Sequence, residues 1–138
     1  MKQKILYLHG LESPQGGEKV DFLSTKCYVH APSLDYTRND IFSFLLKTID
    51  EFQPDLIIGS SMGGYAALHS RTIEPNFPKF AKSHIPSELT IVIGKQDNIV
   101  DGNRTLDYLK DHIQDKTVNY KIERIEEMGH RVPLDVFT

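Results

Sequence analysis

Acyl transfer needs a hydroxyl or thiol nucleophile, a base to take its proton and an acid to orient that base, and the chain offers candidates for all three. The segment Gly59-Ser60-Ser61-Met62-Gly63-Gly64 follows the apolar run Leu56-Ile57-Ile58 and opens a stretch of helical spacing. A serine at the apex of such a strand-to-helix turn projects its hydroxyl outward. Residues without side chains two positions before and two after it let the chain double back without collision. Gly59 and Gly63 stand at those positions, which makes Ser61 the candidate nucleophile. A helix starting near Met62 aims its first amides and positive dipole end at an oxygen gaining charge, so the Met62 N–H is one expected oxyanion donor. The competing reading is a glycine-rich connection with an incidental serine.

Of the six histidines, His130 alone follows the last expected strand in a short loop, Met128-Gly129-His130, and is the candidate base. His9 and His30 end the first two expected strands, whereas His69, His84 and His112 lie in or near helical segments, where packing or surface roles are expected. The acidic loop Gly94 to Asp101 lies directly beyond the run Leu89 to Ile93, and its Asp97 is placed to orient an imidazolium. Asp101 competes for that role, but it sits nearer the next helix, where a carboxylate commonly serves as a cap. Beyond the first strand, His9-Gly10-Leu11 makes the Leu11 N–H the second expected oxyanion donor. The stretch Gly10 to Lys19 looks like a phosphate loop only at first sight: Glu18 separates Gly17 from Lys19, and Val20 replaces the hydroxyl that would hold magnesium. The histidines are scattered and Cys27 is the only cysteine, so neither a metal site nor any other cofactor is expected.

These groups must be held by regular elements. The runs Ile5 to Leu8, Cys27 to His30, Leu56 to Ile58, Leu89 to Ile93 and Val118 to Ile122 are short, partly β-branched and bounded by breakers, and read as five strands. Helical spacing covers 17–26, 39–52, 62–73 and 103–114, with Ile41, Leu45, Ile49 and Phe52 on one stripe of the second. Strands alternating with helices, and too uniformly apolar to be half exposed, predict a doubly wound α/β domain with a mostly parallel sheet. Reactive groups then collect on loops beyond the carboxyl ends of the strands. Residues 74–88, with Pro75, Pro78 and Pro86, are the least regular connection, with a short helix expected around Lys79 to Lys82 and a flap as their expected role. Cys27, in the run Cys27-Tyr28-Val29, reads as a small buried residue.

Bulk properties fit this picture. At 138 residues the chain is read as one domain, residues 1–138, and 39% hydrophobic with 25% charged residues is ordinary globular usage. A formal charge of -3 with no dense basic run argues against nucleic acid as a partner. No apolar stretch approaches the roughly 20 residues of a membrane span, and Met1 to Lys4 leads straight into the first strand without a signal-peptide core, so a cytoplasmic protein with no membrane partner is expected.

The order Ser61, Asp97, His130, each in a loop after a successive strand with His9-Gly10-Leu11 after the first, resembles the α/β-hydrolase superfamily across nearly the whole chain. Tyr7-Leu8-His9-Gly10-Leu11-Glu12-Ser13 and Gly59 to Tyr65 look most like the small bacterial esterases of the YqiA type. The resemblance implies Ser61 as nucleophile, Asp97 as acid, His130 as base, and Leu11 and Met62 as oxyanion donors. Two departures stand out: the short stretch between Ile73 and Leu89 lacks room for an additional strand and cap helices, and only Arg131 to Thr138 follow the histidine, where the family continues with a helix. Trimming of this kind leads to the strand order 2-1-3-4-5, a flavodoxin-like arrangement, and to a shallow, uncapped pocket. The expected function is a serine esterase or thioesterase acting on a small-molecule ester with a short acyl group. A homodimer is left open, as are an acyltransferase or peptidase using the same machinery. The alternative from another class is a hydrolase-derived binding or interaction module without catalysis.

Overall fold

In a computed structural model the chain divides into two compact units, Met1–Pro86 and Ser87–Thr138. The structure describes residues 3–10, 17–72, 76–78, 88–94 and 119–125. The expected helices at 103–114 and 79–82 lie outside the described residues. Among the described residues, no helix is long and apolar enough to cross a membrane.

The first unit is an α/β layer structure running β1 (Lys4–Leu8), α1 (Glu18–Ser24), β2 (Tyr28–His30), α2 (Ile41–Phe52), β3 (Leu56–Gly59) and α3 (Met62–Thr72). Its sheet is parallel with order β2-β1-β3, as expected for these three strands. The register sets Lys4 opposite Tyr28 on one side of β1, and Ile5 opposite Leu56 on the other. Ile5, Leu6, Tyr7 and Leu8 are all buried, as a central strand covered on both faces requires. Tyr28 on the edge strand is 61% exposed. Leu6 and Leu8, on one face of β1, join the core with Ile41, Leu45 and Ile49 of α2 and Ala66 of α3. The spacing of these helical residues is that of a single buried stripe.

Element ends differ from the sequence pattern for local reasons. The first helix stops at Ser24, and Thr25, Lys26 and Cys27 donate their N–H groups back to Phe22 and Leu23. Cys27 therefore stays tied to the helix end and does not enter the ladder, which starts at Tyr28 with a 2.8 Å bond to the Gln3 carbonyl. It is half-buried, not the buried strand residue that its apolar neighbours suggest. The second helix begins at Ile41, two residues later than its periodicity, with Asp40 as its cap residue; Arg38 engages both carboxylate oxygens of Asp40 at 2.9 and 2.7 Å, and that side chain makes no cap bond. It ends in a left-handed Gln53 (φ 54°) followed by a buried Pro54, which cannot continue the helix.

In the second unit β4 (Glu88–Gly94) and β5 (Asn119–Ile125) pair in parallel over seven residues each. The last strand runs three residues beyond the expected end at Ile122, because the polar residues Glu123 and Arg124 still pair with Val92 and Ile93. A parallel pair needs a crossover of a dozen residues or more, which the intervening chain is long enough to supply.

One core group is poorly matched to its surroundings. Ser70, on the buried stripe of α3, is 1% exposed, and its Oγ has no hydrogen-bond partner among the described residues. An unsatisfied buried hydroxyl costs about 1–3 kcal/mol, and alanine is the better helix former. Ser70→Ala is therefore expected to stabilise the protein by about 1 kcal/mol in urea or thermal unfolding. Lower stability in the variant would mean that the hydroxyl does have a partner.

Candidate active site

The turn between β3 and α3 is held by sterics more than by hydrogen bonds. A Cβ built on Gly63 would lie 2.0 Å from the Leu8 carbonyl oxygen and 2.7 Å from that of His9. One on Gly59 would lie 2.1 Å from the Gly63 oxygen. Neither glycine has a positive φ, so close backbone approach, and not conformational freedom, demands glycine at both positions. The first turn of α3 thus rests directly on the carboxyl end of β1. Two bonds close the turn: the Ser60 N–H donates to Leu8 at 3.1 Å and the Gly63 N–H to Ser60 at 2.9 Å.

The unusual torsion falls on Ser61, a residue with a Cβ held at φ 57°. The left-handed region costs such a residue on the order of 1–3 kcal/mol, which persists only where neighbouring structure over-determines it. Here the two glycine contacts, the Ser60 bond to β1 and the α3 helix supply that constraint. Ser61 is exposed at the head of the helix, and its carbonyl accepts the Tyr65 N–H at 3.1 Å. Met62 is the first residue of α3, so its N–H has no acceptor within the helix. Beneath the turn, Tyr7 is bonded to the Ser60 side chain; burial raises the Tyr7 hydroxyl above its ordinary value of 10.0, and the Ser60 bond opposes the shift.

The loop after β2 crosses the same strand ends. Its Leu34 N–H donates to His9 Nε2 at 2.8 Å, and the Tyr36 hydroxyl donates to the His9 carbonyl at 2.5 Å. Half-burial without an ionic partner pushes the Tyr36 hydroxyl up to about 12, so it stays a donor. The Tyr36 and His9 rings meet edge to face at 5.8 Å. Asp35 shapes the next turn by accepting the hydroxyl and N–H of Thr37, and these bonds hold its carboxylate below the usual range. His69 is stacked 4.2 Å from Phe42 and 5.6 Å from Tyr65, the packing role expected for it.

Ser61, Met62, Gly59 and Gly63 are thus brought together at one turn. Asp97, Asp101, His130 and Leu11 lie outside the described residues. Sequence spacing gives no sign of the lacing of Leu34 and Tyr36 onto His9. Partners some 25 residues apart, contributed by an irregular loop, leave no periodic signal.

The glycine contacts make a sharp contrast. Gly63→Ala is expected to destabilise the protein by more than about 3 kcal/mol, because its methyl would meet backbone that cannot move aside. Gly64→Ala, whose methyl would lie 3.2 Å from the Gly59 oxygen, should change stability by no more than about 1 kcal/mol, helped by helix propensity. Urea unfolding of the two variants checks this, and equal effects would contradict the packing described. Compared with known proteins, the chain matches no protein-family model, no curated protein and no solved structure.

Proposed function

We propose that the chain is a serine hydrolase, an esterase or thioesterase of trimmed α/β-hydrolase type, with its five strands in the order 2-1-3-4-5. The observation that carries this reading is the left-handed Ser61 between two glycines that admit no Cβ. A connection with an incidental serine has no reason to hold a β-carbon residue in a costly torsion when glycine would relieve it. The β2-β1-β3 order and the parallel β4–β5 pair are compatible with the proposed sheet.

In the proposed mechanism the Ser61 Oγ attacks the carbonyl carbon of a small acyl ester as His130 accepts its proton, and Asp97 holds the imidazolium. The negative charge gathers on the carbonyl oxygen, facing the Met62 and Leu11 amides. Collapse of the tetrahedral intermediate breaks the ester bond; His130 protonates the departing alcohol or thiol, leaving an acyl-serine. Water, deprotonated by His130, then attacks the acyl carbon and releases the acid and free Ser61. No cofactor enters this scheme.

Ser61→Ala is expected to abolish ester hydrolysis and fluorophosphonate labelling while leaving the melting temperature nearly unchanged, since alanine keeps the backbone demand and loses only the hydroxyl. Full activity in that variant would eliminate the mechanism. Asp97→Asn should lower kcat by roughly 10³ to 10⁴, and Asp101→Asn should do little; the reverse pattern reassigns the acid. An uncapped pocket leaves a long acyl tail in water, without the roughly 0.8 kcal/mol available per buried methylene. Across p-nitrophenyl esters from acetate to palmitate, kcat/KM should therefore be highest for short chains. A steady rise to long chains would show a buried acyl tunnel.

A further inference from the structure

We propose that the ester cleaved at Ser61 carries an aryl group, seated against the rings of Phe42, Tyr65 and His69. The proposal deepens the hydrolase reading above and rests on it. In a parallel βα layer each helix starts at the carboxyl edge of the sheet, where the preceding strand ends. Phe42 is the second residue of α2 and Tyr65 the fourth of α3, so both stand at the edge that carries Ser61. The Tyr65 N–H closes the first helical turn on the Ser61 carbonyl. Four residues, each rising about 1.5 Å, set Tyr65 about 6 Å from the nucleophile along the axis.

The three rings form one cluster. Phe42 meets Tyr65 edge to face at 6.4 Å and His69 at 4.2 Å, and Tyr65 meets His69 at 5.6 Å. The Tyr65 hydroxyl lies 3.5 Å from His69 Nδ1, so its polar tip is turned toward another member of the cluster. All three side chains are half-buried. The fully buried stripes of the two helices are made instead by Ile41, Leu45 and Ile49 and by Ala66 and Ser70. The rings therefore flank the core, and part of the cluster stays accessible beside the nucleophile. Rings attract another ring in offset or edge-to-face contact at centroid separations of about 4.5–7 Å, over and above the burial of area. A saturated group of the same size gains the burial alone. An aryl ring one carbon from the ester is short enough for a shallow pocket and long enough to reach from Ser61 to Tyr65.

Two isomeric esters place the ring on either side of the scissile bond. Methyl phenylacetate carries it on the acyl group and benzyl acetate on the alcohol; methyl cyclohexylacetate and cyclohexylmethyl acetate are their saturated counterparts. The reading is kcat/KM for each ester divided by its rate with hydroxide, which removes intrinsic reactivity. One aryl ester is expected to exceed its saturated counterpart by roughly three- to tenfold, and the pair showing the gap tells which side of the ester meets the rings. This ratio does not depend on the amount of folded protein, so a less stable variant still reports it. Tyr65→Leu and Phe42→Leu are each expected to bring the ratio to within about twofold of one, and Tyr65→Phe to keep it. Ratios near one for both pairs in the unsubstituted protein, or a gap that survives both leucine variants, would overturn the aryl site and leave the hydrolase reading standing. The same holds if all four esters are refused while p-nitrophenyl acetate is hydrolysed through Ser61. Absence of Ser61-dependent hydrolysis of any ester would instead remove the hydrolase reading, and the aryl site with it.

Discussion

The contact between Gly63 and the carbonyls of Leu8 and His9 is the constraint on which the candidate site depends. It lets the head of α3 settle on the end of the central strand with no side chain between them. Once that approach is made, the chain has only a few residues in which to leave β3, reverse and begin the helix. Gly59 yields space at one end and Ser61 absorbs the torsion at the middle. The strain at Ser61 is thus a product of packing elsewhere, stored where a reactive hydroxyl would be exposed.

A second set of interactions stiffens the same strand end from the other side. The loop between β2 and α2 carries Leu34 into the core and, through Tyr36, reaches the His9 carbonyl, so β1 ends between the elbow and this loop. The surface of that loop is set by local polar bonds: Asp35 with Thr37, and Arg38 with both oxygens of Asp40. These exposed pairs contribute little to stability, but they fix the turn that delivers Tyr36. Polar order on the outside and apolar anchoring on the inside make one short loop rigid enough to hold a neighbouring strand.

Much of this was legible in the residues, and the reasons are physical. The run Ile5 to Leu8 announces a strand buried on both faces because it has no polar alternation, and Ile41, Leu45 and Ile49 announce a helix because they recur every four residues. The glycines around Ser61 signal an elbow because close approach excludes every other residue type. Cys27 misleads, because an apolar neighbourhood does not reveal that its N–H is already taken by Leu23. The His9 clasp stays hidden for a related reason: a buried imidazole and a loop amide carry no spacing rule. Position beyond a strand points to a region of chemistry, but the partners within it are chosen by tertiary packing.

The place of β1 in its sheet also bears on biosynthesis. It precedes both strands that flank it, yet Ile5 pairs with Leu56, 51 residues downstream. At translation rates of about 5–20 residues per second, β1 waits roughly 3–10 s for its second neighbour. During that interval an unpaired strand edge is open to other chains. A nascent chain of this design gains from rapid decoding between β1 and β3, and from chaperones that shelter β1 until β3 has emerged.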